Sequence, residues 1–224
     1  RNTATTPAGD AFDGGGLVIA IALDAPAAVH NTILWGNSSG GSTDQAAQLG
    51  VNEDFPPMLT VRRSLVEGWT GDLGGAGNSG DDPLFADPDG SDGTPGTADD
   101  DYRLERFSPA IDAGSNSLVP QDVFDLDSNG DTAEALPIDL AGRPRRVDDI
   151  DTDDTGAGSA PIVDIGAYEF QRRSCPGDLN NDGLLDLADI TIFVGGFPGQ
   201  SPESDLNGDG LWDLADINIF VGTF

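Results

Sequence analysis

Apolar residues in this chain come in short runs set between turn formers. Residues 14–23 read GGGLVIAIAL, residues 27–37 AAVHNTILWGN and residues 58–68 MLTVRRSLVEG. Each run is aliphatic and partly β-branched, has strand length, and is bounded by Gly, Asn, Asp or Pro. Helical periodicity is nearly absent before residue 185. It then appears twice, over 187–195 and 214–222, where Leu187, Ile190, Phe193 and Val194 recur at the spacing of one helix face. The pattern predicts a mainly β region to about residue 173, followed by two short amphipathic helices that bury their stripes against each other.

Each helix follows a twelve-residue segment rich in Asp and Asn. DLNNDGLLDLAD at 178–189 recurs 27 positions later as DLNGDGLWDLAD at 205–216. A calcium loop of the EF-hand kind needs oxygen ligands at positions 1, 3, 5, 9 and 12, a carbonyl at 7 and Gly at 6 for the sharp turn. The first copy supplies Asp178, Asn180, Asp182, Asp186 and Asp189, with Gly183 and the carbonyl of Leu184. The second supplies Asp205, Asn207, Asp209, Asp213 and Asp216, with Gly210 and the carbonyl of Leu211. Two matches in register predict at least two bound Ca2+ ions. Position 12 is Asp in place of Glu, and no helix former precedes either loop.

This duplicated loop and helix resembles the dockerin module over residues 175–224. The resemblance implies docking to a cohesin-like scaffold. Dockerins often read that partner with hydroxyl residues at positions 10 and 11, where this chain has Leu187 and Ala188, then Leu214 and Ala215.

A second resemblance covers roughly residues 14–170. The Gly14 to Gly16 run, NTILWGN and VRRSLVEG are similar to the last coils of secreted bacterial right-handed parallel β-helices. The phrases DDPLFADPDG at 81–90, DDDYRLERFSPAIDAG at 99–114, IDLAGRPRRVDD at 138–149 and PIVDIGAYEF at 161–170 are similar to the ending of such proteins. The expected fold class is therefore mainly β, a short parallel β-helix or solenoid with irregular Asp-rich loops, plus a small α dockerin-like module. The expected domains are an arm at 1–13, β-helix coils at 14–173 and the calcium module at 174–224.

Acidic loops between those phrases are candidates for further ions. DLDSNGD at 125–131 places Asp125, Asp127 and Asn129 at positions 1, 3 and 5 and adds Asp131, but Leu136 stands at position 12. Asp87, Asp89, Asp99 and Asp101 form a second candidate set. The 148–154 segment reads first as a solvated acidic loop and second as a further cation site.

Charge narrows the partners. The chain has 40 acidic residues against 10 basic ones, all Arg, for a formal charge of −30. Such a field disfavours nucleic acid and anionic membranes and favours divalent cations. No run of about 18 apolar residues provides a membrane span. Arg1 and the lack of a leader suggest a processed product or a portion of a longer protein. Weak oxygen-ligand sites suit millimolar extracellular calcium, so a secreted or cell-surface location is expected. Cys175 alone makes no internal disulfide.

No catalytic constellation is visible. The lone His30 has no nucleophile pattern beside it, Lys is absent, no G-x-S-x-G occurs, and Trp35, Trp69 and Trp212 are scattered. The expected function is a non-catalytic, calcium-binding extracellular structural protein that assembles with itself, head to tail into a filament. The alternatives are a fragment of a modular carbohydrate-active protein docked to a cohesin-like scaffold, and a polysaccharide lyase or hydrolase.

Overall fold

Strand formation follows the apolar runs. The computed structural model describes residues 3–4, 16–19, 26–51, 58–171, 175–180 and 185–224. The chain divides into two compact units, Arg1–Phe170 and Gln171–Phe224.

In the first unit, β1 (Thr3–Ala4) pairs with β5 (Ser38–Ser39), and β2 (Leu17–Ile19) with β6 (Leu49–Val51). Strand β3 (Pro26–His30) pairs with β7 (Met58–Arg62), and β4 (Ile33–Leu34) with β8 (Leu65–Val66). All four pairs are parallel. Three share one offset of 32 residues: Leu17 faces Leu49, Pro26 faces Met58 and Ile33 faces Leu65. Strands β9 (Phe85–Asp87) and β10 (Asp101–Leu104) pair antiparallel.

The expected solenoid is not formed. Every sheet among the described residues stops at two strands, no closed coil is present, and the molecule is only weakly β. After Val66 the chain enters a run of glycines, and a third layer shrinks to one parallel bridge between Leu65 and Ser79. Beyond residue 81, Asp, Gly and Pro interrupt every apolar run, so no row of backbone groups is long enough to extend a ladder.

Buried carboxylates take over the work of neighbouring strands there. Asp164 accepts the N–H groups of Asp112 and Phe170, Glu169 those of Val147 and Asp164, and Asp139 those of Ala141, Arg143 and Glu169. These side chains are buried, and a backbone N–H left unpaired at such depth is costly. Asn31 adds a long-range tie, its amide exchanging bonds with both backbone groups of Ser115.

Two apolar clusters fill this unit. Ile19, Val29, Leu49 and Val61 form one under the parallel pairs. Leu65, Leu104, Ala110, Ile111, Ala113 and Ile165 form the other. Beside it, Gly156 permits close backbone packing: an added Cβ would lie 2.3 Å from Ile162 Cγ2 and 2.4 Å from the Gly114 carbonyl oxygen. Gly156→Ala is expected to destabilise the unit by about 1–3 kcal/mol, read as a lower urea midpoint.

The second unit carries α1's two longer counterparts. The one-turn α1 (Gln45–Gln48) belongs to the first unit, whereas α2 (Leu187–Gly196) and α3 (Leu214–Val221) lie here. Leu179, Phe193 and Phe220 form the core, with the two Phe rings stacked at 4.1 Å. The helices do not bury their full stripes as expected. Leu187, Val194, Leu214 and Val221 are exposed, and so are Ile190 and Ile217 to a lesser degree. The reason is length: helices this short meet at a single ring pair, and the rest of each face stays in solvent.

Candidate cation-binding loops

The two C-terminal loops share one construction. Asp189 Oδ1 accepts the N–H groups of Leu179 and Asn180, and Oδ2 that of Asp186. In the second copy Asp216 Oδ1 accepts those of Leu206 and Asn207, and Oδ2 that of Asp213. Both carboxylates are fully buried. Asp186 and Asp213 cap their helices by accepting from Ala188 and Ala215, and each also exchanges bonds with the Asp three residues on, Asp189 or Asp216, in a reciprocal capping box. The N–H bonds to Asp189, that of Asp186 foremost, hold its carboxyl below the ordinary range.

In the second loop the interior is held by local side-chain turns, and its acids are not drawn into a cluster of three carboxylates among the described residues. Asp205 accepts from Gly208 and Gly210, Asn207 from Asp209, and Asp209 from Leu211. Gly210 has φ +77°, the left-handed conformation that position 6 demands. Asp178 and Asp205, at position 1 of each loop, are both buried. Asp182 and Leu184 lie outside the described residues.

The first unit brings together a set of acids that shares only Asp127 with those its sequence suggests. In the 125–131 loop, Asp125 accepts from Gly130, Asp127 from Asn129, Asn129 from Asp131 and Asp131 from Ala133. These are local turns made by side chains. The carboxylates that converge are Asp122, Asp127 and Glu134, with one oxygen of each within 4.8 Å of the others. Asp122 is fully buried, its Oδ2 accepting from Leu126 and its Oδ1 without a hydrogen-bond partner. The Asn129 amide nitrogen donates to both Asp127 and Glu134.

A second convergence joins Asp112 to Asp148 and Asp154. Either cluster could hold a metal ion. The spacing of EF-type loops found Asp127 alone, because Asp122 and Glu134 flank the motif and Asp112 lies far from its partners in sequence.

The other candidate set is not drawn into such a cluster among the described residues. Asp87 and Asp101 face each other across β9 and β10. Arg103 engages Asp101 at 2.5 Å and lowers its pKa. The hydroxyls of Thr97 and Ser91 hold Asp99 well below the usual carboxylate range. Asp89 stands in the turn after β9.

Burial acts the other way on the inner carboxylates. It pushes Asp164 up to about 7, and with the nearby Asp164 charge pushes Glu169 up to about 9. Arg145, itself buried, donates to the Gly166 carbonyl.

The aromatic residues divide by role. Trp69 packs on the first apolar cluster and the Trp212 indole donates to the Ser201 carbonyl. Trp35 lines a cleft of about 210 Å³ with Asp82, Phe85, Tyr102 and Glu105. His30 Nε2 is buried without a hydrogen-bond partner. Among the described residues no helix is long and apolar enough to cross a membrane. Compared with known proteins, the chain matches no family model, no curated protein and no solved structure.

Proposed function

We propose that this chain is a non-catalytic, extracellular calcium-binding structural protein whose C-terminal unit becomes an assembly module when its paired loops bind Ca2+. The observation that carries the reading is the duplicated loop. Two segments 27 residues apart place a position-12 Asp on the same three backbone N–H groups and start a helix with the same cap. All-oxygen ligands around a tight glycine turn suit a hard cation of Ca2+ size. The resemblance to dockerins agrees with this chemistry.

The assembly role rests on the exposed helix faces. Leu187, Ile190 and Val194 on α2 have counterparts in Leu214, Ile217 and Val221 on α3, and this apolar surface suits protein contact. Its occupant is a second copy of the chain or a cohesin-like scaffold.

Electron microscopy and sedimentation of the full chain, in millimolar calcium and after chelation, test the reading. Ordered assemblies that dissolve on chelation are expected if the partner is another copy. Single particles in both conditions would exclude self-assembly and leave the scaffold. Absence of calcium binding to both loops by calorimetry would overturn the proposal itself.

A further inference from the structure

The segment 148–154 carries five Asp residues, and the fold treats them unequally. Asp149 is buried, accepts the Thr152 hydroxyl, and donates its N–H to Asp112 Oδ2. Asp151 pairs with Arg106 at 3.2 Å. Asp148 and Asp154 are exposed, and each has a carboxylate oxygen within 4.8 Å of one on Asp112 and of one on the other.

Asp112 is the fixed point of this arrangement. It is fully buried and held on three sides: its N–H donates to Asp164, its carbonyl accepts from Thr155 and Gly156, and its Oδ2 accepts from Asp149. Its φ of +49° is a conformation that non-glycine residues rarely adopt. Only Oδ1 is left, buried and with no hydrogen-bond donor in reach. An anionic oxygen is thus committed, without compensation, beside two more carboxylates. Arg63 donates to the Thr155 carbonyl and Arg106 pairs with Asp151. Burial, followed by the charges of Asp154, Asp148 and Asp149, pushes the Asp112 carboxyl up to about 6.

We infer that Asp112, Asp148 and Asp154 form a further divalent-cation site that clamps the 148–154 loop onto the buried segment around Asp112. Three carboxylates with no His or Cys select a hard cation. Two ligands on an irregular exposed loop suit the flexible shell of calcium better than the strict octahedron of magnesium. Water completes the coordination. The site lies in the first unit and stands independently of the C-terminal loops.

The test is peptide-resolved hydrogen exchange on the full chain, titrated with CaCl2 and compared with chelator. Calcium should slow exchange across 147–156 by about tenfold or more. In Asp148→Asn/Asp154→Asn, whose changes are confined to exposed side chains, that protection should vanish and bound calcium should fall by one equivalent in equilibrium dialysis. Peptides from 175–224 should respond to calcium as in the parent. An Asp178→Ala/Asp205→Ala variant should lose the C-terminal response and keep protection at 147–156, so the two assignments fail separately. Equal calcium protection of 147–156 in parent and Asp148→Asn/Asp154→Asn, or none in the parent, would overturn the site.

Discussion

Replacing Asp216 with Ala is expected to unfold the second unit, in calcium as well as in chelator. The carboxylate accepts three backbone N–H groups, from Leu206, Asn207 and Asp213, and it is fully buried. Ala supplies no acceptor, and the three part-buried donors lose their shared partner, at about 1–3 kcal/mol for each that water does not reach. The sum rivals the few kcal/mol that a core of Leu179, Phe193 and Phe220 supplies in so small a unit. Circular dichroism at 222 nm should lose the contribution of α2 and α3. Asp209→Ala is the contrast: within the loop its carboxylate accepts only the Leu211 N–H and an amide hydrogen of Asn207. It should weaken calcium binding and leave a folded unit at high calcium. Retained helicity in Asp216→Ala, with or without calcium, would show that loop closure does not depend on this side chain.

The first unit is expected to lose stability as pH rises from about 5 to about 9 in chelator. Glu169 and Asp164 have folded-state pKa values pushed up to about 9 and about 7, above those of an unfolded chain. Over this window the native state holds protons that the unfolded chain has released. Stability is therefore fully present below the unfolded pKa values and declines through the folded ones. A Tm lower by about 5–10 °C at the alkaline end is the expected size. General repulsion in a chain of charge −30 acts in the same direction, but salt screens it. The part due to Glu169 should survive high salt. Glu169→Gln should flatten the remaining slope while lowering stability at pH 5, because one of the N–H groups of Val147 and Asp164 then meets an amide donor. A Tm unchanged across the window would contradict the burial of these charges.

What could be read in advance was local. The runs at 14–23, 27–37 and 58–68 contain β2, β4, β7 and β8 and all of β3 but its first residue, because aliphatic runs between Gly and Asn leave the backbone few alternatives. The helix starts were legible as well, since Asp186 and Asp213 are strong caps. The stack of coils was not there to be found. Each short run meets one partner 32 residues away, and later segments spend their N–H groups on Asp164, Glu169 and Asp139.

The inner carboxylates were hidden by abundance. Among so many Asp residues, nothing local distinguishes Asp112 or Asp122, which are buried, from Asp127 or Asp153, which are exposed. Asp112 meets Asp148 and Asp154 only after residues between them fold back. Loop spacing pointed toward Asp125, Asp127, Asn129 and Asp131; only Asp127 joins the cluster with Asp122 and Glu134, and the oxygens of the other three serve turns within the loop.

The replacement of strand ladders by carboxylates also bears on how this protein responds to temperature. Heat-capacity change on unfolding comes from newly exposed apolar surface and is reduced by newly exposed polar surface. Much of the 112–170 region is held by buried acidic side chains on backbone N–H groups, with Ile162, Val163 and Ile165 among its few fully buried aliphatic residues. Its unfolding therefore carries a small heat-capacity increment, and its stability curve is broad and shallow. Such a region tolerates cooling well and keeps a similar margin of stability over a wide span of temperature.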